Sequence, residues 1–337
     1  MFVKKILLTI GLLGATTGAL AGEYAADFLQ IGVGARALAM GGAFTAVAGG
    51  DPSAFYWNPA GLLPPKRASV QFEHVAMFGD LAQYNTASAV LNLNDQFAVG
   101  LSWIRLGIDE IPRYGELQGS RFDRLTRNQF RSTGTPEGYF SDTEDAVMVS
   151  LSQTHYIDLY LGDPITGLAL PMEISWGVSG KYLRQNLDAN SATGQGLDAG
   201  LLLRMTHSEW DRLEPLSWIG FGAMLRDISH TRLQWNTASE HQDTVEMGIQ
   251  FGAAASHTIR AIKSRLTLAA DRETQPYALW RLGAEWRLLE MIALRGGLVD
   301  EDLTAGAGLL LFGLAADYAF VSHDLGNTHR ISVVYHF

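Results

Sequence analysis

Most of the chain after residue 66 alternates apolar and polar side chains with a period of two residues. From 245 to 255 the odd positions carry Val, Met, Ile, Phe and Ala, whereas from 246 to 256 the even positions carry Glu, Gly, Gln, Ala and Ser. A period of two predicts β-strands. Segments of about ten residues exceed the ~5–6 usual in soluble proteins and match the roughly 9–11 of a membrane-crossing strand.

About fourteen such segments can be counted, and they predict an all-β fold, an antiparallel transmembrane β-barrel of about 14 strands. A soluble β-sandwich would also alternate, but the polar face here combines opposite charges with many glycines, which suits a lumen packed against a plug. The segments lie near 67–77, 83–93, 96–108, 144–154, 173–185, 195–206, 216–227, 244–257, 264–272, 279–289, 291–299, 303–312, 314–323 and 328–337.

The connections between these segments differ in length. An outer-membrane barrel likewise has short turns at its periplasmic end and longer loops at its external end. Turns at 93–95, 289–291 and 312–313 are very short and are predicted to be periplasmic. The predicted external loops are 109–143, 186–194 and 228–243. Two connections are long for the periplasmic side, 155–172 and 207–215, and the first could extend its strands or hold a small helix.

The stretch from Gly34 to Leu63 departs from the alternating pattern. It is rich in Gly and Ala, and its only charged residues are Arg36 and Asp51. Glycine weakens both helices and strands, and each of its two prolines disfavours helix in the residue before it. The stretch is also too apolar for a solvated linker. We therefore predict that residues 22–66 form a plug, or hatch, inside a barrel made of residues 67–337.

The polar face of the strands supplies the candidate lumen residues. We expect Arg36 of the hatch to pair with a lumen carboxylate such as Glu246 or Glu285. A conduit for lipids alone would be expected to have a more apolar lumen than this one. The candidates are Lys181, Asp198, Arg204, Arg226, Glu246, Arg281, Glu285, Arg287 and Asp317.

Residues 1–21 have the pattern of a secretory signal peptide. Lys4 and Lys5 precede a short apolar run, and Ala19 and Ala21 occupy the positions that a signal peptidase reads. The run is too short for a spanning helix, which needs roughly 20 residues. We expect cleavage after Ala21, export, and insertion into the outer membrane of a diderm bacterium, with outer-membrane lipid as a partner.

Composition narrows the function classes. The chain has 337 residues, no Cys and a formal net charge of −10, which disfavours nucleic acid as a partner. The nine His residues are scattered, and no metal or cofactor is expected. We expect no enzymatic activity. A barrel enzyme would need His and carboxylates at the external rim, where only two groups are candidates, His323 with Asp324 and His241 with Glu240 and Asp243.

Loop 109–143 combines basic and aromatic residues. It is either a solvated loop whose arginines meet glycolipid phosphates or a recognition loop for a partner or ligand. Its residues of these types are Arg113, Arg121, Arg124, Arg127, Arg131, Phe122, Phe130, Tyr139 and Phe140.

The last strand ends in an aromatic residue. Ile331, Val333, Tyr335 and Phe337 share one face of the extended segment. A terminal aromatic after alternating apolar residues resembles the signal read by the barrel assembly machinery, so Tyr335 and Phe337 are predicted to be that signal.

Residues 34–62 closely resemble the N-terminal signature of the PorV/PorQ family of outer-membrane proteins. The segments GVSGKY at 177–182 and GLDAGLL at 196–202 add to the likeness. The family belongs to a FadL-like group in which a 14-stranded barrel is plugged by its own N-terminal hatch. The resemblance assigns to the hatch Arg36, Gly41, Gly42, Phe44, Asp51, Pro52, Asn58, Pro59, Ala60 and Gly61.

The resemblance implies two functions. PorV-type members act in type IX protein secretion and surface attachment, which predicts secretion-system proteins or secreted substrates as partners. FadL takes up long-chain fatty acids, which predicts instead a hydrophobic ligand between hatch and wall near Phe44, Phe55 and Trp57. The first function is our main expectation and the second is the alternative.

Overall fold

The structure, a computed structural model, describes residues 25–63, 66–130, 134–161, 168–206, 217–275, 278–322 and 326–337. The predicted signal peptide, the predicted connection 207–215, Arg131, His323 and Asp324 lie outside these ranges.

Within the described residues the chain forms sixteen strands, most of them where alternation predicts them. They are β1 (Ala68–Met77), β2 (Ala82–Asn92), β3 (Phe97–Arg113), β4 (Gly138–Leu161), β5 (Leu168–Leu187), β6 (Asn190–Thr206), β7 (Trp218–Arg226), β8 (Arg232–Trp235), β9 (Gln242–Thr244), β10 (Gly248–Ile259), β11 (Ser264–Gln275), β12 (Leu279–Leu288), β13 (Ile292–Val299), β14 (Asp302–Leu311), β15 (Leu314–Val321) and β16 (Thr328–His336).

Fourteen of these strands close into one antiparallel barrel in the described part of the chain. Consecutive strands pair along the whole sheet, β7 pairs with β10, and β16 pairs with β1 in the register Val70↔Tyr335. Because the last strand pairs with the first, the sheet has no free edge at the seam. The predicted 14-stranded fold is therefore confirmed.

The other two strands form a short hairpin that sequence alternation did not reveal. Strand β8 lies in the predicted external loop 228–243 and β9 ends one residue beyond it, and β8 pairs with the beginning of β6 at Ala192↔Trp235. Because residues 242–244 belong to this hairpin, β10 begins only at Gly248, later than the predicted start at 244. The long connection 155–172 extends β4 and β5, which was one of the two expected outcomes.

The outer wall of the barrel is apolar. Large side chains on the outward positions are each at least one third exposed, whereas their sequence neighbours face inward. A wall that faces lipid has to present apolar side chains. It also has to be closed, because only then is every backbone group paired within the wall. None of the helices in the described ranges is long and apolar enough to cross a membrane. Representative outward residues are Leu101, Leu201, Phe221, Phe251, Leu268, Leu282, Leu294, Leu303 and Ile331.

Residues 25–63, the described part of the predicted hatch, lie inside the barrel. They form 3-10 helices at Asp27–Gln30 and Pro59–Gly61 and two short α-helices, α1 (Ala35–Ala39) and α2 (Ala54–Trp57), joined by turns. Phe44 and Phe55 are completely buried. Burying such a side chain stabilises by about 1.5–3 kcal/mol, so the hatch supplies much of the apolar core that the polar-faced strands lack.

A third α-helix, α3 (Arg121–Thr126), lies in the predicted external loop 109–143. The Ser120 side chain accepts a hydrogen bond from the Asp123 amide, and the Asp123 carboxylate accepts from Ser120 in return, which caps the first turn. These hydrogen bonds from Ser120 lower the pKa of Asp123. The helix exposes Phe122 and Leu125.

Candidate functional site

The two ends of the barrel are named by their turns. β1 begins and β16 ends beside the short turns 289–291 and 312–313, and we call this the periplasmic end. The opposite end, with the long connections 114–137 and 227–247, is the external end.

Asp271, on the lumen face of β11, holds the middle of the hatch. Its Oδ2 accepts hydrogen bonds from the amides of Phe44 (2.9 Å) and Thr45 (2.8 Å) and from the Thr45 hydroxyl (2.7 Å). Gln250 donates a fourth hydrogen bond to the same oxygen at 3.0 Å. One buried carboxylate therefore satisfies three donors of a segment that has no regular structure of its own.

Wall residues on the opposite side hold the start of the hatch. Glu73 of β1 accepts a hydrogen bond from the Gly34 amide at 2.8 Å. Arg330 of β16 donates to the carbonyls of Ile31 (2.9 Å) and Gly32 (3.3 Å). Because β1 and β16 are the closing pair of the barrel, these contacts attach the hatch across the seam.

Asn58 and the residues after it hold the end of the hatch. The Asn58 Nδ2 donates to the carbonyls of Thr45 and of Leu201 on β6, both at 2.9 Å. Its Oδ1 accepts from the Ala60 amide at 3.1 Å, beside Pro59. Ser152 of β4 donates to the Ala60 carbonyl at 3.0 Å. Asn58 thus joins two parts of the hatch to each other and to the wall.

The remaining predicted hatch residues are also buried or half-buried against the wall. Ser88 of β2 donates to the Pro52 carbonyl at 3.2 Å, and Gly61 accepts from the Gly50 amide at 2.8 Å. Gly41 and Gly42 have φ of 63° and 68°, the left-handed region that glycine adopts at little cost. The Gly41 amide donates to Thr304 of β14 at 3.0 Å.

Inward-facing glycines of the wall form a track on which the hatch lies. A Cβ at Gly222 would approach the Thr45 backbone to less than 3.0 Å, and one at Gly177 would do the same to Pro59. The glycines on the polar face are therefore positions of close backbone approach. The track consists of Gly177, Gly200, Gly222, Gly283, Gly297 and Gly306.

An ion-pair cluster joins α1 to β12. Arg36 donates to both oxygens of Glu285, from Nε at 2.9 Å and from Nη2 at 3.1 Å, and its Nη1 donates to Asp51 at 3.1 Å. Glu285 also accepts from Arg287 at 3.0 Å and from Arg295 at 2.8 Å. Of the two acids expected to pair with Arg36, the structure selects Glu285.

Glu246 lies elsewhere, in the connection before β10. Its carboxylate is 3.7 Å from the His230 imidazole and about half exposed. The expectation that it belongs to a strand is wrong, because the ladder of β10 begins only at Gly248, but Glu246 does line the cavity at the external end of the barrel described below.

The other candidate lumen residues also make ion pairs within the wall. Lys181 lies 2.8 Å from both Asp198 and Asp227, and all three are buried. Asp317 pairs with Arg295 at 2.6 Å, and Arg281 with Glu273 at 2.6 Å. Two arginines make looser ion pairs and stack on aromatic rings: Arg204 over Trp218 at 4.7 Å and Arg226 over Tyr56 at 5.0 Å.

A cavity of about 1240 Å³ lies above the hatch at the external end of the barrel. Its wall is formed by strand ends, among them Met77, Ile108 and Val299. Asp27 also lines it, and burial raises the pKa of that carboxyl. The hatch contributes Leu29, Ile31, Leu38, Tyr56 and Trp57 to the lining.

Of the three aromatic residues expected to be near a hydrophobic ligand, only Trp57 lines this cavity. Phe44 and Phe55 are completely buried within the hatch. The polar lining includes Arg226, Arg281 and Arg330.

Sequence reasoning missed three residues that hold the hatch, Glu73, Asp271 and Arg330, and it missed Arg295, which pairs with Glu285 and Asp317 in the wall. Each stands on the lumen face of a strand that alternation does predict. The signal was the same as for the residues that were named, a charged side chain at an inward position of the two-residue period. No feature of the sequence indicates which of the inward-facing charged side chains contact the hatch.

The remaining predicted sites lie at the barrel ends. The Phe337 amide donates to the Ala68 carbonyl at 2.9 Å, and the rings of Tyr335 and Phe337 meet edge to face at 4.6 Å. His241 contacts Asp243 at 3.0 Å on the exposed β8–β9 hairpin. Among the described residues, no group of three or more His, Cys, Asp or Glu is placed to hold a metal ion.

These observations define a class of protein, a transmembrane β-barrel whose lumen is closed by its own N-terminal hatch. No known family model matches the chain, and no curated protein matches its sequence.

Solved structures give low-scoring matches. The Pseudomonas putida toluene transporter TodX is similar at 11% identity, with 90% of this chain and 96% of that chain covered and a TM-score of 0.48. A Pseudomonas aeruginosa FadL homologue matches at 12% identity over 88% and 96% of the two chains, with a TM-score of 0.33. CdiB from Escherichia coli matches at 11% identity over 81% and 64%, with a TM-score of 0.41.

Proposed function

We propose that this protein is a non-enzymatic, hatch-plugged channel of the outer membrane that takes up hydrophobic solutes, as the FadL-like alternative expects. The observation that supports this function is the cavity above the hatch. It is large enough for a lipid-like or aromatic molecule, since ligand sites usually occupy ~300–1,000 Å³. TodX, to which the chain is similar in fold, is a toluene transporter.

In the proposed cycle, the solute enters the cavity from outside and rests on the hatch. Leu29, Ile31 and Trp57 offer an apolar surface, and the arginines offer positive charge to a polar end group. Passage further requires the hatch to move, because its backbone lies directly on the wall glycines.

Quenching of tryptophan fluorescence by a brominated fatty acid and by a brominated benzene tests ligand binding at the cavity. Trp57 lines the cavity, so we expect saturable quenching that is largely lost in Trp57→Phe. Trp218 lies at the periplasmic end of the lumen on β7 and provides the matched control, because Trp218→Phe should keep the quenching. Equal quenching in both variants, or quenching without saturation, would contradict the proposed site.

Uptake measurements then test transport. Cells that lack the gene should accumulate a labelled hydrophobic solute more slowly, while protein secretion stays normal. The reverse outcome would favour the other function, a component of type IX-like protein secretion or surface attachment.

The secretion function has one observation in its favour. Helix α3 exposes Phe122 and Leu125 beside Arg121 and Arg124 at the external end, a combination suited to a protein partner. The narrower resemblance to PorV/PorQ proteins rests on residues 34–62, 177–182 and 196–202 and stays a prediction.

A further inference from the structure

Strands β4 and β5 continue past the barrel wall at the periplasmic end. They pair with each other as far as Leu161↔Leu168. Strand β3 begins to pair with β4 only at Phe97↔Gln153, and β6 ends its pairing with β5 at Met172↔Met205. Residues 155–161 and 168–171, here called the protruding hairpin, have no neighbouring strand on either side within the described ranges. Seven residues at about 3.3 Å each extend roughly 20 Å.

The protruding hairpin exposes large apolar side chains. Tyr156, Ile157, Leu159 and Tyr160 are between 42% and 66% exposed. An isolated two-stranded hairpin is marginally stable in water, and contiguous exposed apolar surface marks an interaction site. The exposed apolar side chains of the hairpin are therefore typical of a surface that binds a partner.

The two edges of the hairpin are not equivalent. The Thr154 amide donates to the Gln96 carbonyl at 2.8 Å, so it points toward β3. Amides alternate along a strand, so those of Tyr156, Asp158 and Tyr160 point to the same side, where β3 no longer runs. On the other edge Pro171, which pairs with Asp158, has no N–H to offer. The β4 edge is open, and the β5 edge is blunted.

We propose that the open edge of β4 binds an extended segment of a periplasmic protein partner as an added strand. The hydrocarbon region of a bilayer offers no acceptor for the open amides, whereas a peptide backbone pairs with them along its whole length. Ile157 and Leu159 select apolar residues at alternate positions of the partner. Asp158 is exposed on the hairpin and Asp95 lies close enough to Tyr156 to act on it electrostatically, so these two carboxylates favour a basic residue in the partner.

This interaction goes beyond solute uptake and does not depend on the cavity. It provides a site that holds the periplasmic protein partner under the barrel.

Photo-crosslinking in living cells tests the interaction with the full-length protein. p-Benzoylphenylalanine replaces Tyr160, and the same substitution at Phe312 is the control, because Phe312 is 99% exposed in another periplasmic turn. We expect a protein adduct from position 160 and none from 312. Asp158→Pro removes one open amide and should lower the adduct by about tenfold, whereas Asp158→Ala removes the charge but keeps the amide and should retain most of it.

Heat-modifiable migration on gels shows whether each variant contains a folded barrel. Should Asp158→Pro fail to fold, Tyr156→Pro with the crosslinker still at 160 makes the same comparison. An adduct that survives both proline variants at full yield would overturn the proposal. An adduct of twice the chain's own mass would indicate a second copy and would also overturn it. The same holds for an adduct to lipid alone and for the absence of any adduct. A failure to detect solute uptake together with an intact crosslink would contradict only the proposed transport function and would leave the proposed interaction of the hairpin unaffected.

Discussion

Replacing Asp271 with Ala tests whether the hatch is held by side chains of the wall. The carboxylate is the acceptor for the amides of Phe44 and Thr45, and both residues are completely buried. Without it the amide and the hydroxyl of Thr45 have no acceptor while the hatch stays docked, whereas the Phe44 amide keeps the Gly42 carbonyl at 2.9 Å. The flanking attachments, from Gly41 to Thr304 and from Asn58 to Leu201, remain. We therefore expect the segment between Gly41 and Asn58 to detach more often.

The expected size of the effect follows from the number of groups left unpaired. A buried unsatisfied donor costs about 1–3 kcal/mol, so two cost about 2–6 kcal/mol. At about 1.4 kcal/mol for each tenfold change, the detached population rises between roughly 30-fold and 10⁴-fold. Asp271 has no ion-pair partner among the described residues, so removing its charge also removes a cost of burial and lowers the net effect.

Asp271→Asn separates the two contributions, because Asn loses the charge and keeps an acceptor oxygen. In planar lipid bilayers, Asp271→Ala should open far more often than the wild type, and Asp271→Asn should open less often than Asp271→Ala. Heat-modifiable migration confirms that each barrel is folded. If Asp271→Ala is folded and its single-channel record equals that of the wild type, the reasoning is refuted.

Three further substitutions test other parts of the structure. Glu285→Ala leaves three arginines facing one another and should lower the free energy of unfolding in urea by about 3–5 kcal/mol. Arg36→Ala should lower it less, because Arg287 and Arg295 still neutralise Glu285 in that variant. Equal losses in the two variants would contradict this. Gly222→Val should displace the hatch at Thr45 and raise single-channel conductance, whereas an unchanged conductance would show that the contact is dispensable. Phe337→Ser should sharply reduce the amount of heat-modifiable, membrane-inserted protein, and wild-type amounts would remove the terminal residue from the assembly signal.

The strands could be predicted because lipid on one side and the lumen on the other impose a strict two-residue period. Phe251 and Glu285 each face the side that this period assigns to them. The hatch could be predicted as a plug because its composition suits neither water nor lipid. The β8–β9 hairpin and α3 could not, because short elements above the membrane are set by local pairing and capping and have no such period.

The contacts of the hatch could not be predicted either. The sequence predicts a pairing of Arg36 with a lumen carboxylate, whose charge would be left uncompensated in Arg36→Ala. The structure instead gives Glu285 two further arginines, so it is Asp51 that loses its cation. Such pairings depend on which strands are neighbours around the ring and on their stagger, and one sequence does not specify these.

The hydrogen bonds between hatch and wall have a consequence for the order in which the protein forms. The Ala35 amide contacts Ser332, and Arg330 contacts Ile31, partners almost 300 residues apart in the chain. The ribosome makes the hatch before the barrel, yet the hatch has no complete set of partners until the last strand has been synthesised and joined to the first. Contacts of such long sequence separation form late, because closing the intervening loop has to come first. The earliest described residues to be translated are thus among the last to reach their final place, and until then an apolar segment has to be kept from aggregating.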